Sequence, residues 1–309
     1  MSETMATRIA YGKALAQLGE TNKKVVVLDA DLAHATMTST FAEAFPDRFF
    51  NAGIAEANMV DMAAGLSITG FIPFTSTIAV FADRAYEQIR NGVCYSKMNV
   101  KFGMTHAGIT LGEDGGTHQA IEDVAIMRVL PGMTILSPCD ANETFKAVQA
   151  AAEIDGPVYL RLSRLSTVVF EKEMPFVVGK ANVFQEGEDV AIFTYGVMVE
   201  ECLKVASVLE QKGISTAVIN MHTLKPLDED VIKLYAKRCK RIVTVEEHSV
   251  IGGLGDGAAS VLATNGIPCV LQKLGVQDRF GQTGNPEDVM AEYGLTAEQI
   301  VKDILGAIK

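Results

Sequence analysis

The feature that most constrains this chain is an alternation. Short, unbroken apolar runs are separated by stretches of helical spacing. Residues 25–29 read Val-Val-Val-Leu-Asp, with no polar residue before the last. A strand that faces solvent on one side alternates polar and apolar residues. A run apolar on both sides fits a parallel strand covered by helices on both faces. Similar strand signals fall at 49–51, 70–74, 100–106, 134–137 and 158–162. Between them, apolar residues recur at helical spacing over 7–18, 39–44, 81–92, 118–128 and 141–152. Strand and helix in turn predict an α/β fold with a mostly parallel sheet. Residues 166–187, with Pro175 and scattered charges, break the rhythm. It then resumes at smaller scale, with strands expected at 190–194, 215–220, 241–246 and 269–275. Helices are expected at 198–211, 228–237, 255–265 and 296–308. The expectation is two open, mostly parallel-sheet domains, 1–168 and 188–309, joined by a linker over 169–187.

Composition narrows the function classes. Of 309 residues, 48% are hydrophobic, enough for two cores and too many for a disordered chain. The net charge of −11 argues against nucleic acid or an anionic membrane as partner. The N-terminus MSETMATRIA has no apolar signal core, and no 18-residue apolar run exists. Cys94, Cys139, Cys202, Cys239 and Cys269 are scattered without CxxC spacing, which reads as buried thiols in a reducing compartment. A cytoplasmic location is the expectation.

Residues 51–66, NAGIAEANMVDMAAGL, place Glu56 at a helix start among Ala, Gly, Ile and Met. Met59, Met62, Ala63 and Leu66 share one helical face. A carboxylate there either offsets the helix dipole or, if buried, shares a proton with a basic nitrogen. Ligand crevices of open parallel sheets lie beyond the strand ends. Asp29, Asp31, His34, His106 and Arg164 fall at such ends, and Asp114 and His118 bracket the loop Gly112-Glu-Asp-Gly-Gly-Thr-His118. Histidine and arginine there suit an anionic, hydroxyl-rich ligand, because guanidinium grips anions and neutral imidazole both donates and accepts. Gly253-Leu-Gly255-Asp-Gly257-Ala258 imitates a dinucleotide fingerprint, but no acidic strand end follows about 20 residues later. Gly255-Asp-Gly257 with Asn285 imitates a magnesium–diphosphate signature, but Asn285 sits in a turn-like stretch.

Several stretches carry a resemblance. Asn51-Ala-Gly-Ile-Ala-Glu56-Ala-Asn-Met, Leu111-Gly-Glu-Asp-Gly-Gly-Thr-His118-Gln and Leu162-Ser-Arg164 are similar to transketolase, as is the tail Asp278-Arg-Phe-Gly-Gln-Thr-Gly with Tyr293-Gly-Leu-Thr. The resemblance spans nearly the whole chain, yet covers only the pyrimidine-binding and C-terminal domains of that family. It implies the C-terminal subunit of a split, thiamine diphosphate-dependent transketolase. An N-terminal subunit would carry the Mg²⁺ ligands, in an α2β2 assembly. The resemblance implies that Glu56 hydrogen-bonds the aminopyrimidine and activates the cofactor, that Phe81 stacks on it, and that Ile78 and Arg84 line the same pocket. Asp31 matches an acid near the cofactor at the subunit interface. His106 and His118 match the pair that handles substrate hydroxyls and protons, and Asp114 the acid that reads one hydroxyl. Arg8, His106 and Arg164 match groups near the sugar's anionic end. Two departures stand out. Gly116 and Ala120 replace prolines, and Ala35 lacks a phosphate-contacting hydroxyl, for which Thr36 is the candidate substitute.

The implied reaction is transfer of a two-carbon ketol unit from a ketose, as phosphate or a similar anion such as a sulfonate, to an aldose. A deoxyxylulose-phosphate synthase-like half or an oxo-acid dehydrogenase β-like component is the rival of the same architecture, favoured slightly by Arg84. A non-enzymatic nucleotide-binding module using residues 253–257 is the rival from another class.

Overall fold

A computed structural model describes residues 3–308. The continuous run Val25–Asp29 forms an interior strand buried along its whole length. Val25 and Val27 enter one apolar cluster, with the helices Thr7–Thr21 and Ala141–Glu153. Val26 and Leu28 enter another, with the helix Glu56–Ile68. Two-sided burial is why the run carries no polar alternation.

The first sheet has seven strands, in spatial order Thr223–Lys225, Thr134–Leu136, Val158–Arg161, Lys101–Thr105, Ile72–Ile78, Val25–Asp29 and Phe49–Asn51. All neighbours are parallel except Thr223–Lys225, an antiparallel edge lent by the second half of the chain. The second sheet runs Val270–Val276, Arg241–Ser249, Val190–Thr194, Thr216–Asn220 and Asn182–Gln185, the last antiparallel. The expected pair of open, mostly parallel sheets is therefore present. No helix among the described residues is long and apolar enough to cross a membrane.

Three local expectations need correction. Residues 118–128 are not one helix. Ala120 bridges Ala107 and Gly108, and the helix begins only at Asp123–Arg128. Residues 81–92 divide into Ala79–Ala82, a tight turn Asp83–Ala85 and a wide π-helical stretch, Gln88–Tyr95. Within the segment expected as a linker, Asn182–Gln185 is an edge strand of the second sheet. An unforeseen ribbon also forms, with Thr4–Ala6 antiparallel to Ser166–Val168. It is short and lacks local periodicity, but it brings residue 8 beside residue 164. Arg8 N–H donates to Ser163 O, and Ser163 N–H to Thr7 Oγ1.

Candidate active site

The strand ends of the first sheet build the site. Asp29 closes its strand fully buried, and its carboxylate accepts hydrogen bonds from Leu32 N (2.5 Å), Thr36 Oγ1 (2.7 Å) and Thr38 Oγ1 (2.9 Å). Burial still pushes its pKa up. This knot turns the chain so that Asp31 takes φ +65° and accepts from Asn51 Nδ2 at 2.9 Å on the edge strand. Asp31 is exposed, and no ion pair or hydrogen bond joins it to Glu56, His106 or His118 among the described residues. His34 is exposed on the short helix Ala33–Thr36 and joins none of these groups. Thr36 does not replace the hydroxyl missing at Ala35. Its Oγ1 is spent on Asp29, and the residue is fully buried.

Glu56 is the first residue of its helix and is 4% exposed. No described side chain or backbone group hydrogen-bonds its carboxyl. Its charged partner is Arg84, with Nε 3.5 Å from Oε2. Ile78 ends the strand Ile72–Ile78, and the helical turn that follows carries Phe81 and then Arg84. Phe81 meets His118 edge to face, with ring centroids 5.5 Å apart. One short segment thus connects the Glu56 side of the rim with the histidine side.

His106 follows the strand Lys101–Thr105 in a left-handed conformation, φ +58°, and is 4% exposed. Burial and then the charges of Arg8 and Arg164 push its pKa down to about 4. Asp114, paired with Arg164, and His118 also lie within electrostatic reach of it. Arg164 pairs with Asp114 at 2.9 Å and donates to Leu111 O. Arg8 donates from Nη1 to Ala35 O at 2.6 Å, while its buried Nε has no partner. Thr105 Oγ1 lies 2.8 Å from His106 Nδ1 and 3.5 Å from Thr77 O. If the hydroxyl hydrogen points at Thr77 O, Nδ1 carries the ring proton and Nε2 is left as acceptor. Such a cluster can grip an anion and accept a proton from a hydroxyl beside it.

Sequence reasoning missed the frame beneath these loops. Glu247 Oε2 accepts from Ile109 N, Thr110 N and Thr110 Oγ1, and Gln119 Nε2 donates to Ile109 O and Gln282 O. The only sequence signal was a pair of acids, Glu246 and Glu247, inside a run that extends the expected strand to Ser249. The 253–257 glycines do not form a nucleotide cradle. Glu246 already accepts from Leu254 N and Gly255 N at the helix start. A Cβ at Gly253 would lie 2.2 Å from Glu246 Oε2. Among the described residues, no group of three or more His, Cys, Asp or Glu side chains is placed to hold a metal ion.

The chain is similar to known proteins along almost all of its length. The family model described as transketolase, pyrimidine binding domain, matches residues 3–168, and that described as transketolase, C-terminal domain, matches residues 179–300. A Methanocaldococcus jannaschii protein described as a transketolase C-terminal section is 46% identical, covering 98% of this chain and 96% of the relative. A Clostridium sp. 6-deoxy-6-sulfo-D-fructose transketolase subunit is 41% identical, covering 96% and 92%. A solved structure described as a split gene transketolase, inactive beta4 tetramer, superposes with a TM-score of 0.90 at 50% identity, covering 98% of both chains. With both family models matched in chain order and the Methanocaldococcus jannaschii relative covered over 96% of its length, this chain belongs to the transketolase family, as the section that carries its pyrimidine-binding and C-terminal domains.

Proposed function

We propose that this chain is the C-terminal subunit of a split transketolase that moves a two-carbon ketol unit from an anionic ketose to an aldose. The observation that carries the reading is the convergence of His106, Arg8, Arg164, Asp114 and His118 at one sheet rim, joined through Phe81 to the Glu56 side. Residues 1–168 form the pyrimidine-facing unit and 188–309 the second unit, with the edge strand Asn182–Gln185 joining the latter.

The pocket residues fit thiamine diphosphate. A buried carboxyl at a helix start without a hydrogen bond from its own chain has its acceptor positions open, and Phe81 is half-buried on the turn that leads to its partner Arg84. Glu56 would share a proton with the aminopyrimidine ring, with Phe81 and Ile78 packing against that ring and Arg84 at its rim. When bound, the cofactor supplies the electron sink that lets a carbon–carbon bond beside a carbonyl break and re-form. The Mg²⁺ and diphosphate ligands belong to a separate N-terminal subunit in an α2β2 assembly, which Asp31 faces across the interface.

On the substrate side, Arg8 and Arg164 hold the anionic end of the sugar. Arg164 also fixes Asp114, which reads a hydroxyl. His106, neutral at pH 7, takes the proton of the donor hydroxyl next to the bond that breaks, and His118 serves the second hydroxyl. With Thr36 turned inward and Ala35 bare, the anion meets guanidinium donors rather than a hydroxyl. That arrangement accepts a sulfonate as well as a phosphate, in keeping with the sulfofructose relative.

Co-expression with the N-terminal subunit, thiamine diphosphate and Mg²⁺ tests the reading. Ketol transfer from a ketose 6-phosphate or its 6-sulfonate counterpart, absent without the partner, is the expected result. Turnover by this chain alone would refute the split assembly. Pyruvate decarboxylation without ketol transfer would favour the deoxyxylulose-phosphate synthase-like reading, to which the Arg84–Glu56 pair lends support.

A further inference from the structure

We propose that Glu247, a residue of the second sheet, is a positioning residue for His106. The inference rests on the ketol-transfer reading above.

Glu247 lies on the strand Arg241–Ser249 and is fully enclosed at the junction of the two sheets. One oxygen, Oε2, takes three donors from the turn after His106: Ile109 N at 3.1 Å, Thr110 N at 3.3 Å and Thr110 Oγ1 at 2.8 Å. The other oxygen, Oε1, faces Arg161 Nη1 at 3.6 Å. Arg161 is itself buried, and it bonds Asp123 through Nε at 2.9 Å and Glu247 O through Nη2 at 3.2 Å. Asp123 begins the helix that follows the His118 loop. One guanidinium therefore ties the segment after His118 to the residue that holds the segment after His106.

The fit leaves no slack. Gly108, two residues from the histidine, takes φ +84°, and a Cβ there would sit 2.1 Å from the Glu247 carboxyl carbon. His106 holds a left-handed backbone conformation that non-glycine residues seldom adopt. It persists only where the surroundings over-determine it. Thr105 and Leu162 restrain the histidine from the strand side, through Nδ1 and through the Ala107 N bond to Leu162 O. Downstream, Glu247 bonds two successive amides. A carboxylate buried with three hydrogen-bond donors and a guanidinium 3.6 Å away has little freedom to move, because any shift leaves a charge unpaired in a low-dielectric interior. The second domain thereby sets where the imidazole stands, although it contributes no side chain to the substrate cluster.

The isosteric variant Glu247→Gln in the reconstituted holoenzyme is the test. We expect kcat to fall at least tenfold, donor KM to change less than threefold and thiamine diphosphate affinity to stay within twofold. Amide hydrogens of Ile109 and Thr110 should exchange at least tenfold faster, with those of Lys101–Thr105 unchanged. Thr110→Val removes one of the three donors without touching the buried charge. It should lower kcat two- to fivefold with the same split, and it carries the test if Glu247→Gln does not fold. Full kcat in either folded variant, or proportionate loss of kcat, cofactor affinity and strand protection, overturns the proposal. Ketol transfer absent even in the wild-type complex refutes the function above instead. The exchange comparison, read on the full chain alone, then still decides whether Glu247 holds the turn.

Discussion

Arg84 Nε stands 3.5 Å from Glu56 Oε2, and the two ends of this pair live in different media: the guanidinium side chain is 74% exposed, the carboxyl side chain 6%. Such a pair adds little to stability, because water screens the exposed partner. Its weight is on the carboxyl, which has no other charged partner among the described residues. Arg84→Ala should shift unfolding free energy by less than about 0.5 kcal/mol in chemical denaturation. Glu56→Gln should leave thermal unfolding in place and lower ketol transfer by roughly 10²–10⁴-fold, the usual range for a lost proton-sharing group. Wild-type ketol transfer in Glu56→Gln would dissociate Glu56 from the chemistry.

Histidine 106 sets a pH signature. Its folded-state pKa of about 4 lies below its ordinary 6.5, through burial and the charges of Arg8 and Arg164. The neutral form is favoured by folding, so the unfolded chain binds more protons between these values. Stability from this group is complete above about pH 6.5 and declines as pH falls toward 4. His222, also lowered to about 4, carries the same sign. In NMR titration the His106 resonance should hold its neutral position down to pH 5, and Arg8→Met should move its midpoint upward. His106→Asn should lose less stability than wild type between pH 6.5 and 4.5. A midpoint near 6.5 in the folded chain would contradict the geometry.

Thr36 faces Asp29 rather than the ligand rim. Thr36→Val removes one of three donors to a buried carboxylate and should cost about 1.5–3 kcal/mol in stability, the range for hydrogen bonds to charged groups. KM for the anionic sugar should stay within roughly twofold. Arg8→Met should do the reverse, raising KM about tenfold or more for the loss of one charged hydrogen-bond donor worth 1.5–3 kcal/mol. A KM rise in Thr36→Val without destabilisation would return the hydroxyl to the anion site.

Glu246 occupies the amides at the start of the helix Leu254–Thr264. Glu246→Ala should therefore destabilise the chain by about 1–3 kcal/mol, the cost of leaving buried donors unpaired. Calorimetric titration of the wild-type chain with a nicotinamide dinucleotide should show no heat of binding. Micromolar binding there would revive the nucleotide-module reading.

What the sequence by itself determined is local. The run Val25–Asp29, apolar on both faces, required a covered parallel strand, and the helix start at Glu56 followed from spacing over a dozen residues. Strand-end placement selected His106 and Arg164, and the glycine loop added Asp114 and His118, but the same criterion also selected Asp31 and His34, which stand apart from them. Local spacing failed where distant pairing decided the backbone. The expected helix at 118–128 gave way to a bridge with Ala107 and Gly108, and the strands Thr4–Ala6 and Thr223–Lys225 form only against distant partners. Only the tertiary structure brought Arg8 beside Arg164, turned Thr36 inward onto Asp29 and set Glu247 beneath Ile109 and Thr110. The Arg8 and Glu247 contacts join residues well over a hundred positions apart. They are selected by the cost of burying an unpaired charge or amide, a quantity that belongs to the folded arrangement and has no trace in the spacing of residues along the chain.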